Sequence, residues 1–357
     1  MSSPKQASSP KSPSSPAKGL RLARTTLLRQ PSGQTMAQLK WYAALHFCLQ
    51  PILLTQVGRR CRLYVLRVPS VDPYMNCSTR VTDTESLRTS ILNYKWENGR
   101  RYHAYNDGAY WLWYGNLGHV SYPSDQAAVQ LSHSPFSEFA DEHPSADVLG
   151  VDLSPIQPGF VPPNCKFEVD DINQEWTFPD NSFDFVHIRA MTGCIPDWVE
   201  LHKKAFKALK PGGWVEHVEL WGITKSDDGS LKDNSPLKKW VQVFEKIGAL
   251  TGKGFFYGHK AANFQREAGF ENLVERRLKM PLGPWPKDKR LKTWGAWNRQ
   301  FLLQALEGFS IRGLTELLGW TYDDAQLFLV EMRNELLNPA VHSYGEVYVN
   351  PPSPLDI

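Results

Sequence analysis

Residues 146–152 read Ala-Asp-Val-Leu-Gly-Val-Asp, a short apolar run that ends in an acid. Apolar character sustained over so few residues suits a strand buried on both faces, as in a parallel sheet. Working outward, Cys165–Val169 predicts a second, weaker strand and residues 183–188 (FDFVHI) a third. Residues 198–209 predict an amphipathic helix with Leu201, Ala205, Phe206 and Leu209 on one face. Lys210-Pro211-Gly212-Gly213 stops it, and residues 214–220 predict a fourth strand. Such alternation predicts an α/β fold with a doubly wound parallel sheet. Upstream, residues 136–143 predict the end of a helix, and residues 85–94 another helix with Leu87, Ile91 and Leu92 in a stripe. Downstream, helices are expected over 235–250, 260–268, 290–306 and 322–338, with a late strand over 273–282. They form a helical C-terminal cap.

The 357-residue chain carries a formal net charge of +3, unevenly spread. Residues 1–80 hold 12 Lys/Arg against one acid, Asp72, which is +11; the rest holds 28 Lys/Arg against 36 Asp/Glu, which is −8. A basic head on an acidic body can contact nucleic acid, serve as a nuclear address, or remain a solvated tail. Residues 1–35 are Ser/Pro/Lys-rich and read as disordered, with no apolar leader. The apolar run 41–57 is interrupted by His46, Gln50, Pro51 and Gln56, so no membrane span is expected. Five cysteines, an odd number without a CxxC pair, argue against a zinc cluster or disulfide framework and fit a reducing compartment, cytoplasmic or nuclear. Three regions follow: a disordered or irregular basic N-terminal region over 1–82, an extension over 83–135, and the main domain with its cap over 136–350.

In open α/β sheets, ligands bind beyond the carboxyl ends of the strands. Asp152 follows the first predicted strand, where a carboxylate can accept from two ribose hydroxyls or cap a helix. Asp170-Asp171-Ile172 follows the second. A carboxylate there can accept from an adenine amino group while Ile172 packs on the ring, or it can simply face water. His187 and Arg189 end the third; His187 is a candidate base or a structural histidine. No catalytic residue and no metal ligand is assigned. Trp214, Trp221 and Trp285 are candidates for an apolar acceptor pocket or for the core.

The strings VLGVDLSPIQ, PPNCKFEVDDINQEWTFPDNSFDFVHIR and KALKPGGWVEHVE, in that order, resemble class I methyltransferases, most closely the fungal LaeA-like group. ILNYKWENGRRYHAYNDGAY at 91–110, SDDGSL at 226–231 and MPLGPWPKD at 280–288 resemble the same group, so the likeness spans roughly 83–110 and 136–349. It implies a Rossmann-like fold, S-adenosyl-L-methionine as cofactor, Asp152 on its ribose, Asp171 and Ile172 framing its adenine and Asp170 as a neighbour. It also implies a small-molecule acceptor in fungal secondary metabolism or, alternatively, a nuclear regulator working through protein partners. An Asn-Pro-Pro-Tyr-type element for handling a flipped base is absent after residue 185, which argues against a nucleic-acid substrate.

The resemblance fails at one place. The glycine-rich loop expected just before Phe139 is replaced by VQLSHSP at 129–135, and Gly115 and Gly118 lie some twenty residues too early. Such a loop lets backbone approach a cofactor where a side chain would clash. Residues 36–76 and 115–135 share no family likeness and read as intron-derived or rearranged. The expectation is a sheet without its central strand.

Overall fold

The computed structural model describes residues 62–67, 95–97, 100–102, 135–153, 161–219 and 223–354. In chain order these form β1 (Arg62–Arg67), β2 (Lys95–Glu97), β3 (Arg100–Tyr102), α1 (Pro135–Glu142), β4 (Asp147–Asp152), β5 (Cys165–Val169), β6 (Phe183–Arg189), α2 (Trp198–Ala208) and β7 (Leu209–Glu219). Then come α3 (Pro236–Thr251), α4 (Ala261–Glu267), β8 (Arg276–Pro281), α5 (Lys289–Arg312), α6 (Tyr322–Leu337) and β9 (Tyr344–Pro354). The expected elements from 136 onward are all present within a few residues of their predicted ends, α5 running on to Arg312. The helix expected over 85–94 lies outside the described residues.

A seven-stranded sheet runs in the order β5-β4-β1-β6-β7-β9-β8. The pairings from β5 to β7 are parallel; β9 alone runs against its neighbours β7 and β8. The sheet therefore has its central strand, which corrects the expectation that it was lost. β1 pairs with β4 from Arg62↔Asp147 to Leu66↔Val151, and with β6 from Leu63↔Phe185 to Arg67↔Arg189. It comes from within residues 36–76, whose sequence has neither clean periodicity nor family likeness. Helices cover both faces. Ala140 of α1 packs with Val148, Cys165 and Phe185 on one, while Leu201 and Ala205 of α2 pack with Val151, Val186, Ile188 and Val215 on the other. That is the doubly wound, Rossmann-like arrangement expected. The cap forms a separate core in which Trp240 and Ile247 of α3 meet Leu302 and Leu306 of α5 and Leu329 and Met332 of α6.

Local chemistry explains the ends. Asp197 accepts from Glu200 N to cap α2, Ser235 caps α3 ahead of Pro236, and Thr321 caps α6. Gly252, at φ 70°, closes α3 in the left-handed conformation. The Lys210–Gly213 turn interrupts β7 as an irregularity: Phe183 pairs with Leu209 but Phe185 with Trp214. At Gly213 an added Cβ would lie 2.8 Å from the Lys210 carbonyl oxygen.

The α2 side of the sheet buries ionisable groups without ionising them. His202 of α2 and His217 of β7 have ring centroids 5.0 Å apart, and Trp198 stacks on His217 at 4.8 Å. Burial pulls His202 down to about 3, helped by His217 and opposed by its contact with the Trp198 carbonyl. Burial, with His187 adding to it, pulls His217 to about 3 as well. Burial pushes Glu219 up to about 8, against backbone N–H bonds from Met191 and Thr192 and the charge of Arg189. The His217 Nε2–Glu219 Oε1 contact, at 3.1 Å, has ion-pair distance. It is nonetheless a neutral hydrogen bond near pH 6, because neither group is charged there.

Two stability predictions follow from these contacts. In the unfolded chain the histidines take up protons below about 6.5, which the folded state refuses, so stability falls as pH drops from there. Unfolded Glu219 loses its proton above about 4.5 while the folded state keeps it to about 8, so stability falls as pH rises. Summed over the three groups, stability should peak near pH 6.5 and decline by about 1 kcal/mol by pH 5 and by pH 8. Urea unfolding across this range checks it, and Glu219→Gln should remove the alkaline limb and steepen the acid one, since below pH 6.5 Glu219 opposes the histidines. Separately, a Cβ on Gly295 of α5 would lie 1.9 Å from the Gly283 carbonyl oxygen. Gly295→Ala should cost about 3 kcal/mol by urea unfolding. Gly345→Ala, whose methyl meets nothing within 4 Å, should stay within about 0.5 kcal/mol of the parent.

Candidate functional site

Five parallel strands deliver their carboxyl ends to one edge of the sheet, and the predicted carboxylates lie on two that are adjacent. Asp152 is the last residue of β4, paired with Val169 of β5, and is only 6% exposed. Asp170 N donates to the Asp152 carbonyl at 3.0 Å, which brings the following loop alongside. Asp171 is 2% exposed and Ile172 is 8% exposed. Asp171 Oδ1 accepts from Asn173 N at 3.0 Å, an Asx turn that fixes the carboxylate. The structure thus gathers Asp152, Asp170, Asp171 and Ile172 at one place. Asp170 differs from the others in use: its Oδ1 accepts from Asp171 N at 2.8 Å, closing its own turn.

His187 is not at the edge. It pairs in register with Val65, inside the sheet, and its Nδ1 contacts Glu216 Oε2 at 2.7 Å. It shares the Phe185 side of β6, where α1 packs, and the structural role is the one the geometry shows. Trp214 packs into that same core. Trp285 donates Nε1–H to the Ser343 carbonyl and stacks on His342.

Beyond Arg189 the chain makes a tight turn that the sequence reading did not single out. Ala190 has φ 52°, and Met191 N donates to Glu219 Oε1 at 3.0 Å. Gly193, at φ 74°, donates to the Gly254 carbonyl at 3.1 Å, and a Cβ there would sit 2.3 Å from the Phe255 ring. The Thr192 hydroxyl donates to the Phe255 carbonyl. Glu219 thereby anchors the β6 turn while the 252–257 loop seats on it. An acid ending a buried strand, the signal that picked out Asp152, also picks out Glu219.

The residues present fit the nucleoside end of S-adenosyl-L-methionine: two buried carboxylates and an apolar side chain at adjoining strand ends. The central strand is followed in sequence by Val68-Pro69-Ser70-Val71-Asp72, and the first glycine after Arg67 is Gly99. The sequence therefore carries no glycine-rich stretch directly after β1 or directly before α1. Among the described residues no group of three or more His, Cys, Asp or Glu is arranged to hold a metal ion. No helix among them is long and apolar enough to cross a membrane.

Residues 132–276 match the family model described as a methyltransferase domain. The chain is 29% identical over 316 residues to methyltransferase pytC of Aspergillus terreus, an alignment covering 79% of this chain and 92% of that one. It is 38% identical over 211 residues to the probable methyltransferase tdiE of Emericella nidulans, covering 59% and 66%. It is 33% identical over 215 residues to the secondary metabolism regulator LAE1 of Cochliobolus heterostrophus, covering 59% and 70%. With the doubly wound sheet and the carboxylates at its edge, these likenesses lead to one conclusion: the chain belongs to the fungal LaeA-like methyltransferase family.

Proposed function

We propose that the chain methylates a small molecule of fungal secondary metabolism, with the cofactor's nucleoside held at the carboxyl ends of β4 and β5. The observation that carries this is that Asp152, which ends β4, and Asp171, two residues beyond the end of the adjacent β5, are both buried. Asp152 accepts from the ribose hydroxyls, Asp171 from the adenine amino group, and Ile172 packs against the ring. Each carboxylate oxygen has two lone pairs, so Asp171 can keep its Asx turn and still accept. Asp170 supports the turn and touches the ligand only as a neighbour. When bound, S-adenosyl-L-methionine supplies an electrophilic methyl group to the acceptor. The chain's own part is orientation: the Glu219-anchored turn at 190–193 fixes the wall beside β6, and close positioning accounts for much of the rate in such transfers.

A second reading has its own support. The missing glycine-rich stretch, the +11 head and the relatives named as regulators favour a LaeA-like nuclear regulator that keeps the fold and works through protein partners. Residues 1–82 would then be its basic, partner-facing region, and residues 136–350 the domain with its cap.

Titration calorimetry of the full chain with S-adenosylhomocysteine separates them. The enzyme reading expects micromolar binding that Asp152→Ala or Asp171→Ala weakens by roughly 10- to 100-fold, the worth of a hydrogen bond to a charged group. A folded chain that binds no S-adenosylhomocysteine would sink it in favour of the regulator.

A further inference from the structure

The connection from β5 to β6 contains no helix among its residues, 170–182. A crossover helix would satisfy its own carbonyl oxygens; an irregular connection must find donors elsewhere. Here the donors come from α2. Lys204 Nζ donates to the Asn173 carbonyl at 2.8 Å, the Gln174 carbonyl at 2.8 Å and the Ile172 carbonyl at 3.4 Å. An ammonium has three N–H groups, and three consecutive carbonyls of one turn take them. Trp176 Nε1 donates to the Ile172 carbonyl as well, at 3.0 Å, and Asn173 Nδ2 to the Cys194 carbonyl at 3.3 Å.

This places Lys204 behind the two residues assigned to the adenine. Ile172 has its carbonyl bonded twice, and the Asn173 N–H that orients the Asp171 carboxylate belongs to a residue whose carbonyl Lys204 holds. Without the ammonium, three carbonyl dipoles converge with no positive charge between them and the turn relaxes outward. The carboxylate and ring face would then lose their relative placement, and misplacement of about 1 Å is enough to lose most of a well-oriented interaction.

We propose that Lys204 is a positioning residue for the nucleoside: it clamps the Ile172–Gln174 turn to α2 and so holds Asp171 and Ile172 in place to receive a purine. This rests on the proposed site. The test uses the full chain, calorimetry, and adenosine and S-adenosylhomocysteine as separate probes. Lys204→Met should weaken both by the same factor, about tenfold, because the damage is confined to the part they share. Lys204→Arg, which restores a cation with several donors, should recover binding to within about threefold of the parent. Lys210→Met, which removes the Lys210–Asp184 pair between β7 and β6, serves as the control for general destabilisation and should leave both affinities unchanged. Lys204→Met binding both probes within about twofold of the parent would overturn the clamp while leaving the site intact, and so would equal losses in Lys204→Met and Lys210→Met. A parent chain that binds neither probe, or whose binding survives Asp171→Ala, would instead overturn the site and the clamp with it.

Discussion

Two ladders of parallel hydrogen bonds along Arg62–Arg67 hold this molecule together. Remove that strand and β4 and β6 each present a row of unpaired N–H and C=O groups in the middle of a sheet covered on both faces, where water cannot reach them. Everything at the site depends on this join. Asp152 stands on one side of β1 and the Ala190–Gly193 turn on the other, and their spacing is that of two strands flanking a third.

Around that join the protein lowers the cost of burying polar groups by keeping them uncharged. Glu219 carries its proton to about pH 8, and His217 beside it stays neutral down to about pH 3. A charged pair in the same place would face desolvation that geometry this modest does not offset. A neutral carboxyl still accepts from Met191 N, so the left-handed Ala190 is held without an ion inside the sheet. At the other end of the site Lys204 of α2 donates to three successive backbone carbonyls.

The regular part of this architecture was legible in the sequence because its period is local. Residues 146–152 read as a buried strand from composition alone, the α2 stripe from the spacing of Leu201 and Ala205, and the end of α2 from the Lys210–Gly213 run that follows it. The carboxylates at the edge were found from their order along the chain. β1 and β9 were not found. RLYVLR is only four apolar residues between two arginines and sits in unpatterned text, and Tyr344–Pro354 mixes Glu346 and Asn350 with valines and ends in prolines. Both are strands because the sheet had a place for them, which is pairing between distant residues rather than a preference of the segment.

By itself, then, the sequence determined the fold class, the succession of elements from 136 to the end of α6 and the identity of the acids at the strand ends. These depend on residues that are neighbours along the chain. Only the tertiary structure decided which strand lies in the centre, that His187 is tied to Glu216 inside the sheet rather than standing at its edge, and that Lys204 and Glu219 support the turns around the site. Each of those is a contact between residues about 30 or more apart in sequence, made when the chain closes and invisible until then.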